Sequence, residues 1–374
     1  MVRRRARFPD ERQGLRFDGC PELSRWSVDG HLVATVTEAT HAERRSPSWR
    51  SWWTTRKASR KGFSMRFATY VSPTDGVEHV GVVHAGSIYG LAEPVRLLDL
   101  LGDEGERLIA AGERAVAQPF EVVVETDATL RAPVPVPPSV RDFMAFEAHV
   151  LNSMEAIGQH VDPDWYELPV FYFQNPAAIR GPRDDIPISP GSNKFDYELE
   201  VAAVVGRAGS DLAPEQAARF LAGYTVMCDW SARDVQAREM RQSLGAVKSK
   251  DSATSLGPYL VTADELETSA AGNGFNLRMV ASVNGAVYSE GNLADLYWSF
   301  GEMLAYASRG TSIMPGDIVA SGTVGTGCIL ELSRVHGEDR YPYLQPGDSV
   351  RLEVERLGAI ETTILPAREV VPLR

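Results

Sequence analysis

The stretch "FDYELEVAAVV", residues 195–205, runs into an apolar core sequence yet opens with Asp196, Glu198 and Glu200. In a strand, side chains at i, i+2 and i+4 share a face. An extended 196–206 therefore collects three carboxylates on one side and sends Tyr197, Leu199 and Val201 to the other. Like charges this close repel, and one pKa is pushed up unless the charge is neutralised. Either that face meets solvent or a cation sits on it.

The rest of the chain is rich in short strands. Residues 78–91 alternate around a Gly turn, and strands are expected at 223–229, 276–289, 317–322 and 349–365, with an Asn284-Gly285 hairpin turn. Two Pro-Gly-Asp turns, at 315–317 and 346–348, each precede a strand. Helical patterns cover 139–158, 213–223, 231–241 and 297–310, and two short helices fit 94–118 around Gly102. Strands and helices do not alternate as βαβ units, which favours α+β or mixed β over a doubly wound sheet. The segment "RAPVPVPPS", 131–139, reads as a semi-rigid proline linker. It divides a small β-rich N-terminal domain, 65–130, from a larger domain, 131–374.

Net charge is −12, but unevenly placed: residues 1–64 hold twelve Arg and two Lys against seven acids. This Arg-rich extension reads either as poorly ordered or as an upstream start before Met65, with a basic arm for membrane or nucleic acid as the competing reading. The acidic body argues against a nucleic-acid partner. No apolar run is long enough to span a membrane, no signal peptide is evident, and three cysteines (Cys20, Cys228, Cys328) form no disulfide framework. A cytoplasmic setting without a membrane partner is expected.

Glu198 and Glu200 suit a hard divalent cation, which takes several carboxylate oxygens. Asp229, where "GYTVMCD" meets the helical "WSARD", and Asp142, in "VRDFMAFEAH", could complete such a set. His149 follows Asp142 by seven residues. On a helix both would face one way, about 10 Å apart along the axis, which places an imidazole base one small substrate from a metal.

Taken together, "DFMAFEAH" (142–149), "LPVFY" (168–172), "DYELEVA" (196–202), "GYTVMCDWSARDVQ" (223–236), "KDSATSLGPY" (250–259), "VASGTVGTG" (319–327) and "LELS" (330–333) resemble the fumarylacetoacetate hydrolase family. The likeness is best over 135–333 and looser over 65–130. It implies an α+β fold, a mixed β-roll or sandwich catalytic domain, and a homodimer. It further implies Asp142, Glu198, Glu200 and Asp229 as ligands of Mg²⁺, with Mn²⁺ or Ca²⁺ as alternatives. His149 would activate water and Glu331 would orient it. Arg233, Gln236 and Lys250 would meet the oxyanion and leaving enolate, and Tyr172 and Thr323 would line the substrate site. Asp196 falls outside the family's E-x-E pair and reads as a supporting or solvent-facing acid.

Competing readings of single residues remain open. Lys250 has an equally basic neighbour in Lys248, Arg233 has Asp234 and Glu239 within helical reach, and Glu331 also suits an exposed strand. The chain also departs from its relatives. Cys228 stands where many have Asn, Met144 where the diketone hydrolase has Tyr, and no Arg follows His149 in "VLNSMEAIG". Met144, Phe146 and Phe171 suggest a more apolar or differently charged acyl group. The expected activity is metal-dependent hydrolysis of a carbon–carbon bond in an acylpyruvate or 1,3-diketone from aromatic or related catabolism. Decarboxylation or isomerisation and hydration of 2-oxo acids through an enolate is the alternative, and a non-catalytic metal-binding protein the more distant one.

Overall fold

In the computed structural model, residues 65–156 and 158–374 are described. The Arg-rich extension 1–64 lies outside them. The described residues form a mixed α+β fold dominated by a large mixed sheet and a second, five-stranded sheet.

One half of the large sheet runs, in spatial order, through Leu221–Asp229, Leu199–Val205, Ile318–Ala320, Val140–Phe143 and, at its end, Phe171–Gln174. Leu199–Val205 is buried along its whole length, as expected for a central strand covered on both faces. Its odd-numbered residues Leu199, Val201 and Ala203 enter one apolar core, while Ala202 and Val204 enter another. Fully burying each such branched side chain contributes ~1.5–3 kcal/mol, so the strand's register is fixed from both sides.

The strand Arg66–Val71 pairs with Leu260–Thr262 and with Thr129–Arg131. Residues 65–130 are thus hydrogen-bonded into the same sheet as the larger part, and the described residues belong to one compact unit. The proline segment 131–139 crosses from the strand Thr129–Arg131 to the strand Val140–Phe143, with Ala132, Pro133 and Val134 buried and Val136 exposed. It does not mark a break in the fold.

Several expected elements differ in extent. The segment 139–158 is not one helix: Val140–Phe143 is a strand and only Glu147–Ala156 is helical. Val140 and Phe143 are buried in the two cores, and pairing on both edges of this strand overrides its helical spacing. The expected strand 276–289 is a hairpin, Arg278–Val283 with Ala286–Asn292, turning at Asn284 (φ 51°) and Gly285 (φ 79°). Both positive φ values match the Asn-Gly turn. The stretch 349–365 likewise divides into Ser349–Val354 and Gly358–Leu365. No helix among the described residues is long and apolar enough to cross a membrane.

Candidate metal centre and catalytic dyad

Sheet register, and no local motif, brings the acids together. Asp142 pairs with Ala320 on one side and Tyr172 on the other, and Ala320 pairs with Ala202. Residues paired across a sheet share a face, as do i and i+2 along a strand. Glu200 therefore lies on the face of Asp142 and Tyr172. Glu200 pairs with Met227, which puts Asp229 on that face too. Asp142 thus reaches the site from a strand, so the shared helical face proposed for Asp142 and His149 does not exist. The imidazole instead comes from the helix Glu147–Ala156 that follows this strand.

One carboxylate oxygen from each of Asp142, Glu198 and Glu200 lies within 4.8 Å of the other two, and all three residues are buried. Lys250 Nζ donates to Glu198 Oε2 at 2.5 Å and to Asp229 Oδ2 at 2.7 Å. Arg233 Nη2 forms an ion pair with Glu198 Oε1 at 2.8 Å. Tyr172 donates its hydroxyl toward Asp142 Oδ2 at 2.9 Å and also contacts Asp229 Oδ2. Gln174 Nε2 donates to Asp142 Oδ2 at 2.6 Å, and Gln174 accepts from Thr254 at 2.5 Å. The Gly322 N–H donates to Glu200 Oε2 at 3.1 Å.

The charges do not balance. Asp142, Asp196, Glu198, Glu200 and Asp229 are buried, and among the described residues the buried cations paired with these acids are Arg233 and Lys250, the buried Arg141 pairing with Asp317 instead. Burial and the charge of Glu198 push the Asp142 carboxyl up to about 6. Burial with neighbouring acids pushes Glu200 well up. Asp229 is raised as well, burial outweighing the opposing pull of Lys250. Glu198 goes the other way: burial would raise it, but Lys250 and Arg233 hold it well below the usual carboxylate range. A phenol has one hydrogen, so Tyr172 cannot satisfy two ionised carboxylates at once. Asp142 Oδ1 and Asp229 Oδ1 are buried without any hydrogen-bond partner. Orphaned oxygens and surplus negative charge on four converging carboxylates fit a hard divalent cation.

Beside this cluster, His149 Nδ1 lies 2.7 Å from Glu331 Oε1. Glu331 sits in the first turn of the helix Ile329–His336, which corrects the exposed-strand alternative. Its Oε2 accepts from Asn152 Nδ2 at 2.7 Å and from the Thr326 N–H at 3.0 Å. Burial would raise Glu331, but His149 and these donors hold its carboxyl below the ordinary value. An ionised Glu331 only accepts, so Nδ1 is the nitrogen that donates, and in the neutral ring Nε2 carries the lone pair.

The other expected residues fall as follows. Gln236 is half-buried, and its Oε1 accepts from Arg233 Nη1 at 3.1 Å. Thr323 is buried, one residue beyond the Gly322 N–H that holds Glu200. Met144 is half-buried, two residues after Asp142. Phe171 does not line the site. It shares with Phe173 the opposite face of their strand from Tyr172 and packs on Phe143 and beside Arg141. Phe146 is a buried core residue. Asp196 falls outside the strand that carries Glu200: Phe195–Asp196 is a separate short strand paired with Ser231–Ala232. That same pair separates Asp229 from the helix Arg233–Met240, so Asp229 is not at that helix's start.

The fumarylacetoacetate (FAA) hydrolase C-terminal family profile matches residues 139–365, more than half of the chain. The chain belongs to the fumarylacetoacetate hydrolase family. It is 30% identical over 258 residues to a mitochondrial oxaloacetate tautomerase of Homo sapiens, covering 69% of this chain and 76% of that one. It is 26% identical over 271 residues to a maleylpyruvate hydrolase of Aquipseudomonas alcaligenes, covering 71% and 81%. The fold is also that of a maleylpyruvate hydrolase from Sphingobium sp. SYK-6 solved with manganese(II) and pyruvate. There the TM-score is 0.61 at 23% identity, over 81% of this chain and all of that one. Family members thus include tautomerases and hydrolases.

Sequence reasoning missed the amide residues that hold the acids. Gln174, on the strand next to that of Asp142, bonds Asp142, and Asn152, on the His149 helix, bonds Glu331. Gln174 lies two residues after Tyr172 on the same strand, and strand alternation was the signal available.

Proposed function

We propose that this protein is a Mg²⁺-dependent hydrolase that cleaves the carbon–carbon bond of an acylpyruvate or related 1,3-dicarbonyl acid. The observation that carries this reading is the buried His149–Glu331 pair beside a cluster of carboxylates. Asp142, Glu198, Glu200 and Asp229 would hold the cation, with Mn²⁺ or Ca²⁺ as alternatives. Bound there, it supplies Lewis acidity toward the oxygens of a 1,3-dicarbonyl unit.

The chain's own residues account for the remaining chemistry. With Nδ1–H held by Glu331, His149 Nε2 takes a proton from water, and the water oxygen attacks the acyl carbonyl. Arg233, Gln236 and Lys250 supply donors for the developing oxyanion. The bond between the acyl carbon and the methylene carbon then breaks with its electron pair on the methylene side, giving a carboxylic acid and the enolate of pyruvate. The imidazolium proton returns to that carbon. Water is the only co-reactant. Met144 is the one apolar residue of the expected three that remains a candidate neighbour for the acyl group.

A cytoplasmic homodimer is the setting we propose. The family resemblance supports the dimer, and the strand Phe171–Gln174, at the end of the sheet's path, leaves Phe173 exposed. Small-molecule oxo acids, with neither nucleic acid nor membrane, are the proposed partners.

A second reading, keto–enol tautomerisation of a 2-oxo diacid, is favoured by the 30% identity to an oxaloacetate tautomerase. The two are separated by NMR of products from a panel of acylpyruvates and oxaloacetate incubated with enzyme and Mg²⁺. Pyruvate plus a free acid, lost in His149→Ala, supports hydrolysis. Intact acylpyruvates with accelerated enol-to-keto conversion of oxaloacetate would replace it by tautomerisation, and carbon dioxide release by decarboxylation.

A further inference from the structure

The acid that opened the sequence argument, Asp196, has an unexpected place. It is fully buried and is not one of the acids whose oxygens converge in the cluster. Its Oδ1 accepts from the Ile329 N–H at 2.7 Å, and its Oδ2 from the Leu330 N–H at 3.0 Å. The same Oδ2 accepts from Arg233 Nε at 2.7 Å.

Those two backbone donors are the first of the helix Ile329–His336, whose third residue is Glu331. Helix starts leave N–H groups without intrahelical partners, and Ser, Thr, Asp or Asn just before the helix normally accepts from them. Here that position is Cys328, whose side chain makes no such bond; its thiol points to Glu331 Oε1 at 3.5 Å. Asp196 supplies the missing acceptor from far away in sequence. On its other side it holds the guanidinium whose Nη2 pairs with Glu198. One carboxylate thus grips both the helix that carries Glu331 and the arginine that meets the metal-site acid Glu198.

We propose that Asp196 is a positioning residue: it fixes the Glu331 helix, and through it the His149 ring, relative to the Arg233–Glu198 side of the cluster. Its effect on catalysis passes through Glu331. Only the kinetic arm of the test rests on the hydrolase reading above; the spectroscopic arm needs no substrate.

The test uses Asp196→Asn in the full chain with excess Mg²⁺. Asparagine keeps the shape but loses the charge and one accepting oxygen. Long-range ¹⁵N–¹H correlation of the His149 ring reads the Nδ1–H bond to Glu331 directly. The expected result is a displaced His149 Nδ1 resonance, with kcat on an acylpyruvate falling about 10- to 100-fold and KM little changed. Added to Glu331→Gln, the same substitution should cost less than about threefold, because its route is already cut. Cys328→Ser places a hydroxyl acceptor at the helix start and should move the His149 resonance of Asp196→Asn back toward wild type. Unchanged His149 resonances, or an equal loss of kcat with and without Glu331, would overturn the proposal. If Asp196→Asn does not fold, the ring resonances are read in Asp196→Glu: displacement supports the proposal and wild-type positions overturn it. If no hydrolysis is found on any substrate, the ring resonances alone decide it.

Discussion

Stripping divalent cations should make this protein less stable as pH rises from about 5 to about 7, against the usual trend for acid-sensitive proteins. Asp142 is held at about 6 in the fold, against an ordinary value of 3.8, by burial and by the charge of Glu198. Between those values the folded chain holds a proton that the unfolded chain has released. Unfolding then releases protons, and stability falls as pH rises. From about pH 5 to about pH 7 the loss from Asp142 alone is about 1 kcal/mol. Glu200 and Asp229, also raised by burial, act in the same direction. Glu198 and Glu331 lie below their ordinary values, so their stabilisation is present above the unfolded carboxylate range. It is lost only on further acidification, outside this window. A bound divalent cation needs the charged carboxylates and should reverse the slope, adding about 2.7 kcal/mol at a hundredfold excess over Kd. Urea unfolding followed by tryptophan fluorescence, with chelator and with Mg²⁺ at each pH, measures both effects. Stability in chelator that rises across the window, or that Mg²⁺ leaves unchanged, would refute the reasoning.

Three substitutions extend the test. Gly322 has φ +75°, and an added Cβ would lie 2.2 Å from the Phe143 carbonyl oxygen and 2.9 Å from Met144 Cα. Gly322→Ala should cost roughly 3 kcal/mol from left-handed strain and the lost N–H bond to Glu200, with weaker Mg²⁺ binding by calorimetry; wild-type melting and affinity would contradict this. Lys250→Met leaves Asp229 without its buried counter-charge and Glu198 with Arg233 alone, so the cation-free protein should lose about 3–5 kcal/mol in urea unfolding, and an unchanged midpoint would show the Lys250 ion pairs to be idle. Glu331→Gln should lower kcat about a hundredfold or more while Mg²⁺ affinity holds, since Glu331 lies outside the acid cluster; a parallel loss of affinity would place it among the ligands instead.

Much of the site could be read from the chain because its acids sit on strands with strong alternation. Glu200 is followed by a continuous apolar run, so its strand and face were decided locally. Asp142 misled because its apolar neighbours suit a helix as well as a short strand, and only pairing with Ala320 and Tyr172 decides between them. Asp196, read as a supporting or solvent-facing acid, is the supporting one: it is buried and bonds Arg233, which pairs with Glu198, though its second set of partners was not legible. Alternation put it beside Glu198, but pairing with Ser231 and the bonds from Ile329 and Leu330 take it to a helix start that no local pattern announces. Asn152 and Thr254 gave no signal, because an uncharged polar residue carries none until the acid or amide it bonds is known, while Gln174 was marked only by its alternation with Tyr172. The proline segment 131–139 looked like a linker from composition alone, and the hydrogen bonds from Arg66–Val71 to Leu260–Thr262 show the sheet continuing past it.

The central claim is that His149 activates water for attack on a carbonyl carbon. Hydrolysis of an acylpyruvate in H₂¹⁸O, followed by mass spectrometry of both products, tests it most directly. The expected result is one ¹⁸O in the released carboxylic acid in a single turnover, with no acid formed by His149→Ala. Loss of substrate without a labelled acid, with only solvent hydrogen exchanged at the methylene carbon, would contradict hydrolysis and leave His149 as a proton shuttle for tautomerisation.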